Sequence, residues 1–430
     1  MVWILYQIIL PAALLLSAPY YLLRMVRRGG YRRGFAERFA FYPARARSLT
    51  AKARRPVWVH AVSVGEVKVA AAFMAELRRR DPEVWFVLTT NTSTGRRLAE
   101  RDPDRAELIV YMPLDLYPVM SRAMNLFRPE RLVLVEIELW PNMIRLARRR
   151  GIPVSLINGR MSDRSCRGYA RLRFLTRRLL PELSAVCVQG DRDAKRFIDL
   201  GAPRERVHVL GSAKYDGALT AAEEGGEAKQ LIAAAGADRD APVLVGGSTW
   251  PGEEETLWSI AQRLREGHPG LFVVLVPRHA ERSTEIAERL RRLGARVARR
   301  SRLEDGDGEA DMLLVDTTGE LIDFYAAADV VFVGKSLDPN RGGQNPIEPA
   351  ALGKPVVVGP HMENFPAVMK DLREARAVIE VEAGAALGAT LERLLNDPGE
   401  RNELGRRASE LVAAKRGVLA RTADVVMQAE

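Results

Sequence analysis

A chain of 430 residues leaves room for two or three domains, and a hydrophobic share of 47% excludes an intrinsically disordered protein. Two cysteines, Cys166 and Cys187, exclude a disulfide framework, and the five histidines contain no pair at metal-ligand spacing. A net charge of +10 and a pI of 9.8 favour an anionic partner: nucleic acid, anionic lipid or a phosphorylated substrate.

Met1 to Leu23 carry no charged side chain. As a helix this stretch would be about 34 Å long, enough to cross the hydrocarbon core. Trp3, Tyr6, Tyr20 and Tyr21 lie near its ends, and Arg24, Arg27, Arg28, Arg32 and Arg33 follow directly. A cleaved signal peptide has its charges before the apolar run, so residues 1–24 read as a signal anchor, spanning or deeply embedded. The positive flank puts the remaining chain on the cytoplasmic side. Residues 25–55 read as a basic, helical segment suited to an anionic membrane surface, with Glu37 standing among arginines that include Arg45, Arg47, Arg54 and Arg55.

From residue 56 short apolar runs alternate with amphipathic helices. Strands are expected at 57–61, 84–90, 108–111, 131–137, 154–157, 185–189 and 207–210. An Ala-, Glu- and Gly-rich stretch from Thr220 to about Asp240 reads as a linker and a first helix. A second series follows, with strands at 242–246, 272–276, 312–315, 330–333 and 355–358, and the tail beyond 399 is helical. This pattern predicts two α/β domains, 25–220 and 221–430, each with a parallel sheet covered on both faces and with ligands at the strand C-termini.

Polar residues gather where the second set of strands ends. Gly246-Gly247-Ser248-Thr249 precedes a helix, Pro277-Arg278-His279 follows a strand, and so does Asp316-Thr317-Thr318-Gly319-Glu320. The fourth group, Gly342-Gly343-Gln344-Asn345-Pro346-Ile347-Glu348, is a Gly-rich loop opening a helix. Asn345 suits an N-cap and Glu348 a capping-box carboxylate, but Glu348 could equally hold ribose hydroxyls. There is no Walker motif and no GxGxxG, and no Asp-x-Asp pair in a suitable loop for a metal-bound diphosphate. One arginine and a helix terminus can neutralise a monophosphate without metal. In the first half the candidate carboxylates are Glu37, Glu66, Glu136 and Glu138, and Lys214 follows the last strand.

Taken together, GFAERF around Glu37, HAVSVGE from His60, EIELWPN from Glu136, GSAKYD from Gly211, VPRH from Val276, DTTGEL from Asp316 and GGQNPIE from Gly342 resemble the 3-deoxy-D-manno-octulosonic acid (Kdo) transferases, in the family's order, from the membrane segment to about residue 380. The resemblance implies a glycosyltransferase-B fold, two Rossmann-like domains facing across a cleft. It implies inverting, metal-independent transfer of Kdo from CMP-Kdo to a lipid A precursor at the inner membrane, with no cofactor. By that resemblance Glu37 matches the general base, and Glu138 and Lys214 match transition-state stabilisers. Pro277, Arg278, Thr318, Gly319, Glu320, Asn345, Pro346, Ile347 and Glu348 match the CMP-binding segments. Ser248, Thr249, Gly342, Gly343 and Gln344 are further donor-site candidates.

The chain departs from the family pattern at Lys335, where Gly is usual, at Gln344, where His is usual, and at Thr318, where Met is common. A nucleotide-sugar 2-epimerase of the same fold is the alternative enzyme, but it is soluble and the anchor argues against it. A basic membrane protein that binds nucleic acid leaves the polar groups at successive strand ends unexplained, so no nucleic-acid partner is expected.

Overall fold

The computed structural model describes residues 2–28, 34–52, 56–101, 106–219, 226–305, 309–382 and 384–430. Arg32, Arg33, Arg54 and Arg55 of the basic strip, and Thr220 at the expected domain boundary, lie outside the described residues.

The first sheet contains β1 (Val57–His60), β2 (Phe86–Thr90), β3 (Leu108–Tyr111), β4 (Arg131–Val135), β5 (Val154–Gly159), β6 (Ala185–Val188) and β7 (Val207–Val209). Their order is β3-β2-β1-β4-β5-β6-β7, all parallel. Trp58 points into one core while its neighbours Val57 and Val59 point into the other, which is why parallel strands read as unbroken apolar runs. Chain direction reverses across the sheet between β1 and β4, the place where open α/β sheets bind ligands.

The second sheet contains β8 (Val243–Thr249), β9 (Phe272–Pro277), β10 (Val297–Arg299), β11 (Met312–Leu314), β12 (Val330–Val333), β13 (Val356–Val358) and β14 (Ile379–Glu380). Its order is β10-β11-β9-β8-β12-β13-β14, also parallel. β10 and β14 extend the expected series. Both are short strands at the sheet edges, with too few residues to show a pattern. β8 runs on through Gly246 and Gly247 to Thr249, where the register shifts and Ser248 takes φ +52°.

The chain divides into two units, Met1–Ala213 with Gly417–Glu430, and Lys214–Arg416. The tail was expected wholly in the second domain. Its last helix, Val418–Gln428, instead packs Val418, Leu419, Ala423 and Val426 with Val57, Val59 and Phe73 in the first unit. Arg131 fastens it, with Nη1 donating to the carbonyls of Val426 and Ala429 at 2.9 and 2.7 Å.

The apolar N-terminal helix spans Val2–Arg28. Ile4, Leu5, Ile8, Ile9, Leu15, Leu16 and Tyr20 are exposed. Its first turns rest on the helix Pro141–Arg149: Tyr6 donates to Asp115 Oδ2 at 2.8 Å, Gln7 donates to Asn142, and Arg145 covers the Trp3 ring at 3.8 Å. The segment after it, expected to be helical, is helical in separate pieces among the described residues. A single 3-10 turn, Phe35–Phe39, stands between Gly34 and Ala40, both at positive φ, and a separate helix follows at Ala44–Lys52.

Candidate functional site

In the first unit the 3-10 turn exists to present Glu37. Gly34 has φ +83°, and a Cβ there would stand 2.6 Å from Arg96 and 2.9 Å from Tyr111, so only glycine allows the turn to close on both. Glu37 is 5% exposed. Its Oε2 accepts from Arg96 Nη1 and from the Tyr111 backbone N–H, each at 2.8 Å. Its Oε1 makes no hydrogen bond among the described residues, yet it is not a sealed buried atom. Glu37 lines a cavity of about 840 Å³ together with Phe35, Phe41, Leu126, Arg47 and Arg122. The Tyr42 hydroxyl, on the same wall, is buried without a hydrogen-bond partner; burial and then the Glu37 charge raise its pKa above the usual phenol value.

Glu138 follows β4. Glu136, with φ +61°, turns the backbone out of the ladder, and Trp140 Nε1 donates to Glu138 Oε2 at 2.8 Å. His60 ends β1, wholly buried, with Nδ1 2.9 Å from Thr89 Oγ1 and Nε2 3.7 Å from Glu138 Oε2. So β1 and β4 bring His60 and Glu138 together at the reversal point. Glu66 serves a different purpose. It closes a capping box with Ser63 and takes the Val62 N–H at 2.8 Å, so this candidate carboxylate holds the start of the helix Val64–Arg80. Asp115 likewise caps the helix Pro141–Arg149 through the N–H groups of Asn142 and Met143; burial pushes its carboxyl up to about 7 against those bonds.

The polar groups of the second unit lie along one edge, because β11, β9, β8 and β12 are consecutive neighbours. Pro277 ends β9, and the Arg278 N–H donates to Thr249 O at 3.0 Å. The Arg278 side chain is exposed and makes no hydrogen bond or ion pair among the described residues. Lys335 Nζ sits 4.5 Å over the Trp250 ring, which meets His279 edge-on at 5.3 Å. Lys335 has φ +60°, the left-handed region where glycine is at ease, which accounts for glycine being usual there. Thr318 and Gly319 are exposed, and Glu320 is held by Arg300 Nε at 2.9 Å and by the Thr317 hydroxyl. Burial works against the charge on nearby Asp316, but hydrogen bonds from Ser301 and Arg299 outweigh it and hold that carboxyl below its usual range.

The Gly-rich loop is used differently from the sequence reading. Gly342 N–H donates to Glu363 Oε2, Gly343 N–H to Lys335 O, Gln344 N–H to Gly334 O and Ile347 N–H to Asn345 Oδ1. Four of the loop's backbone donors are therefore engaged in folding the loop itself. The helix is only Ile347–Ala351 with Pro346 at its N-cap, and Asn345 Nδ2 donates to Glu348 Oε1 at 2.9 Å, which replaces the expected capping box by a side-chain pair. Ile347 is a core residue. Thr249 also turns inward, donating to Glu254 Oε1 at 3.0 Å. Lys214, the first residue of the second unit, places Nζ 3.9 Å over the Phe365 ring.

A family model described as 3-Deoxy-D-manno-octulosonic-acid transferase (kdotransferase) matches residues 33–217, and Glycosyl transferases group 1 matches residues 308–411. The 3-deoxy-D-manno-octulosonic acid transferase of Bordetella pertussis is 37% identical over 95% of this chain and 96% of its own length. That of Haemophilus influenzae is 33% identical over 94% and 93%. The chain belongs to the Kdo transferase family. Among solved structures, a UDP-GlcNAc 2-epimerase from Neisseria meningitidis matches with TM-score 0.60 at 14% identity over 87% of this chain and all of that one, and a Rickettsia africae glycosyltransferase with TM-score 0.60 at 11% over 87% and 98%. These two share the glycosyltransferase-B fold with the Kdo transferase chain.

The sequence reading missed the residues that hold this edge of the second unit in shape. Glu253, in the first turn of the helix Glu253–Leu264, is 1% exposed, and its carboxylate accepts from the N–H groups of Trp250, Lys335, Ser336 and Leu337 at 2.9, 2.8, 2.9 and 3.1 Å. It ties the loop after β12 to the loop after β8. Gly334 lets them approach: a Cβ there would stand 2.6 Å from Ser248 O. Burial raises the Glu253 pKa while the four N–H groups pull it back. An acid in a first helical turn looks like a dipole partner, so nothing local marks it as a clamp.

Proposed function

We propose that the chain transfers Kdo from CMP-Kdo to a lipid A precursor, the tetraacyldisaccharide 1,4'-bisphosphate, with inversion and without metal, in lipopolysaccharide core biosynthesis. The first unit takes the acceptor and the second takes the nucleotide. The N-terminal helix attaches the chain to the cytoplasmic face of the inner membrane. Full crossing of the bilayer by that helix requires Tyr6 and Gln7 to leave Asp115 and Asn142.

The observation that carries this reading is the asymmetry at Glu37. One oxygen is pinned by Arg96 and Tyr111, which fixes the carboxylate, the other has no hydrogen bond among the described residues, and Glu37 lines a cavity edged by phenylalanines and arginines. Such a wall suits a phosphorylated glycolipid. In the proposed step the acceptor hydroxyl gives its proton to Glu37 Oε1 as its oxygen attacks the anomeric carbon of Kdo. The bond from that carbon to the CMP phosphate oxygen breaks, its electrons stay on the departing phosphate, and Arg278 and Lys335 balance the charge. Glu138 and Lys214 stabilise charge as the bonds exchange, and Thr318 to Glu320 and Asn345 to Glu348 position the nucleoside. The epimerase alternative lacks a use for Glu37 and its cavity.

Glu37→Gln tests the reading. Gln keeps an acceptor for Arg96 and Tyr111 N–H and removes the basic electron pair. Turnover is expected to fall about 10²-fold or more, with CMP affinity and melting temperature close to those of the parent. A lower melting temperature with normal turnover per folded molecule would make Glu37 a structural partner of Arg96 and take it out of the mechanism.

A further inference from the structure

The helices Asp163–Arg171 and Arg173–Leu179 meet at a bend at Leu172, and the proposed reaction does not use this pair. Only its inner side is buried. Thr176 and Leu179 point inward, and Thr176 Oγ1 donates to Leu200 O at 3.0 Å. Arg164, Arg167, Arg171, Arg173, Arg177 and Arg178 are all exposed, although the Arg177 stem lies against Gly201, where a Cβ would stand 2.8 Å from Arg177 Cα. Arg173 donates to Asp199 O. None of the six pairs with a carboxylate among the described residues, and the one acid of the two helices, Asp163, is taken by Arg192 and Arg196.

Exposed helical arginines elsewhere in the chain are mixed: Arg97, Arg149 and Arg292 also pair with no carboxylate among the described residues, while others do. Arg79 and Arg80 pair with Glu76, Arg289 with Glu285 and Glu255, and Arg406 with Glu403 and Glu410. Arg164, Arg167 and Arg171 follow at three- and four-residue steps, which aligns like charges on one helix face and costs stability without local compensation. At the corner between the helices, Leu172 is 45% and Phe174 51% exposed. Two bulky apolar side chains flanked by unpaired arginines match a surface that is anionic outside and apolar just beneath. The position agrees. The helix Arg173–Leu179 packs on Pro141–Arg149, the same helix whose Arg145 covers Trp3 of the apolar N-terminal helix. A polyanion in solution would use the arginines but not Leu172.

We propose that this corner is a second membrane contact, laying its arginines on anionic phospholipid head groups and inserting Leu172 and Phe174 at the boundary with the acyl chains. The proposal rests on the reading of the chain as a membrane enzyme. Its test reads lipid contact in the absence of any sugar substrate, so failed contact and failed transfer are separate results.

The full chain is used, with Cys166→Ser and with Phe174→Cys carrying an environment-sensitive fluorophore. Cys187 is buried and its thiol is pushed up to about 12 by that burial, so it stays unlabelled. The protein is placed on vesicles of phosphatidylcholine, or of equal parts phosphatidylcholine and phosphatidylglycerol, each with brominated acyl chains as quencher. The N-terminal helix tethers the chain in every arm, so the fluorophore reports this corner alone. Blue-shifted, bromine-quenched emission is expected on the anionic vesicles, lost at high salt and weak on phosphatidylcholine. Changing Arg164, Arg167, Arg171, Arg177 and Arg178 to Gln should lower the contact equilibrium roughly fivefold per arginine, at a melting temperature no lower than the parent's. If that variant misfolds, the salt arm on the unchanged arginines still decides. Absence of quenching on anionic vesicles overturns the proposal. So does quenching unaffected by charge removal or salt, or a spectral shift caused by RNA without lipid.

Discussion

Glu253→Gln should loosen the proposed nucleotide-binding edge of the second unit. Each carboxylate oxygen accepts two backbone N–H groups: Oε1 takes Ser336 and Leu337, and Oε2 takes Trp250 and Lys335. Gln preserves the shape and one acceptor oxygen, but its amide nitrogen must face the other pair of donors. Two buried N–H groups are then unsatisfied, at about 1–3 kcal/mol each, so a total loss of about 2–6 kcal/mol is expected. The lower end applies if the loop opens and water reaches the donors. Because Glu253 sets the backbone of Lys335 and of the loop that follows Thr249, CMP should bind more weakly even though Glu253 itself is sealed from the ligand. Urea unfolding and calorimetric CMP titration on one preparation measure both effects. A variant within about 0.5 kcal/mol of the parent, with unchanged CMP affinity, would refute the clamp.

Arg278→Ala removes an exposed guanidinium that makes no hydrogen bond or ion pair among the described residues, and should cost about 1.5–3 kcal/mol of CMP binding; calorimetry showing the parent affinity would remove Arg278 from the donor site. Burial pushes the Glu254 carboxyl from 4.5 to about 7. A folded pKa above the unfolded one gives stability that is present below about pH 4.5 and lost as the pH rises through about 7. Glu254→Gln should therefore flatten that fall and raise the unfolding free energy at pH 8 by about 1–3 kcal/mol, and urea titrations across pH 5–8 that superimpose for parent and variant would count against it. Transfer should persist in EDTA, because the proposed leaving group is a monophosphate whose charge an arginine and a lysine can balance; a loss restored by Mg²⁺ would reverse that expectation.

The strands were legible because buried parallel strands are continuous apolar runs, and β3 and β12 begin and end where Leu108–Tyr111 and Val330–Val333 do. β10 and β14 were not, since an edge strand of two or three residues carries no period. The capping-box pattern was resolved two ways. At Ser63 and Glu66 it forms the box, whereas at Asn345 and Glu348 the prolines at 346 and 349 leave a helix of five residues and a side-chain pair. Glu37 could be singled out by motif, but its partner Arg96 lies far along the chain and is brought in by tertiary folding. The same holds for Glu253, whose four donors come from two separate loops, and for the last helix, whose amphipathic face does not say which sheet it will cover.

The most direct measurement is transfer itself: the full chain in detergent or vesicles with CMP-Kdo and the tetraacyldisaccharide 1,4'-bisphosphate precursor, products resolved by mass. The account expects release of CMP together with one or more Kdo units added to the lipid, and expects Glu37→Gln to suppress both. CMP-Kdo returned intact in the presence of the acceptor, or CMP released with no gain in lipid mass, would contradict it.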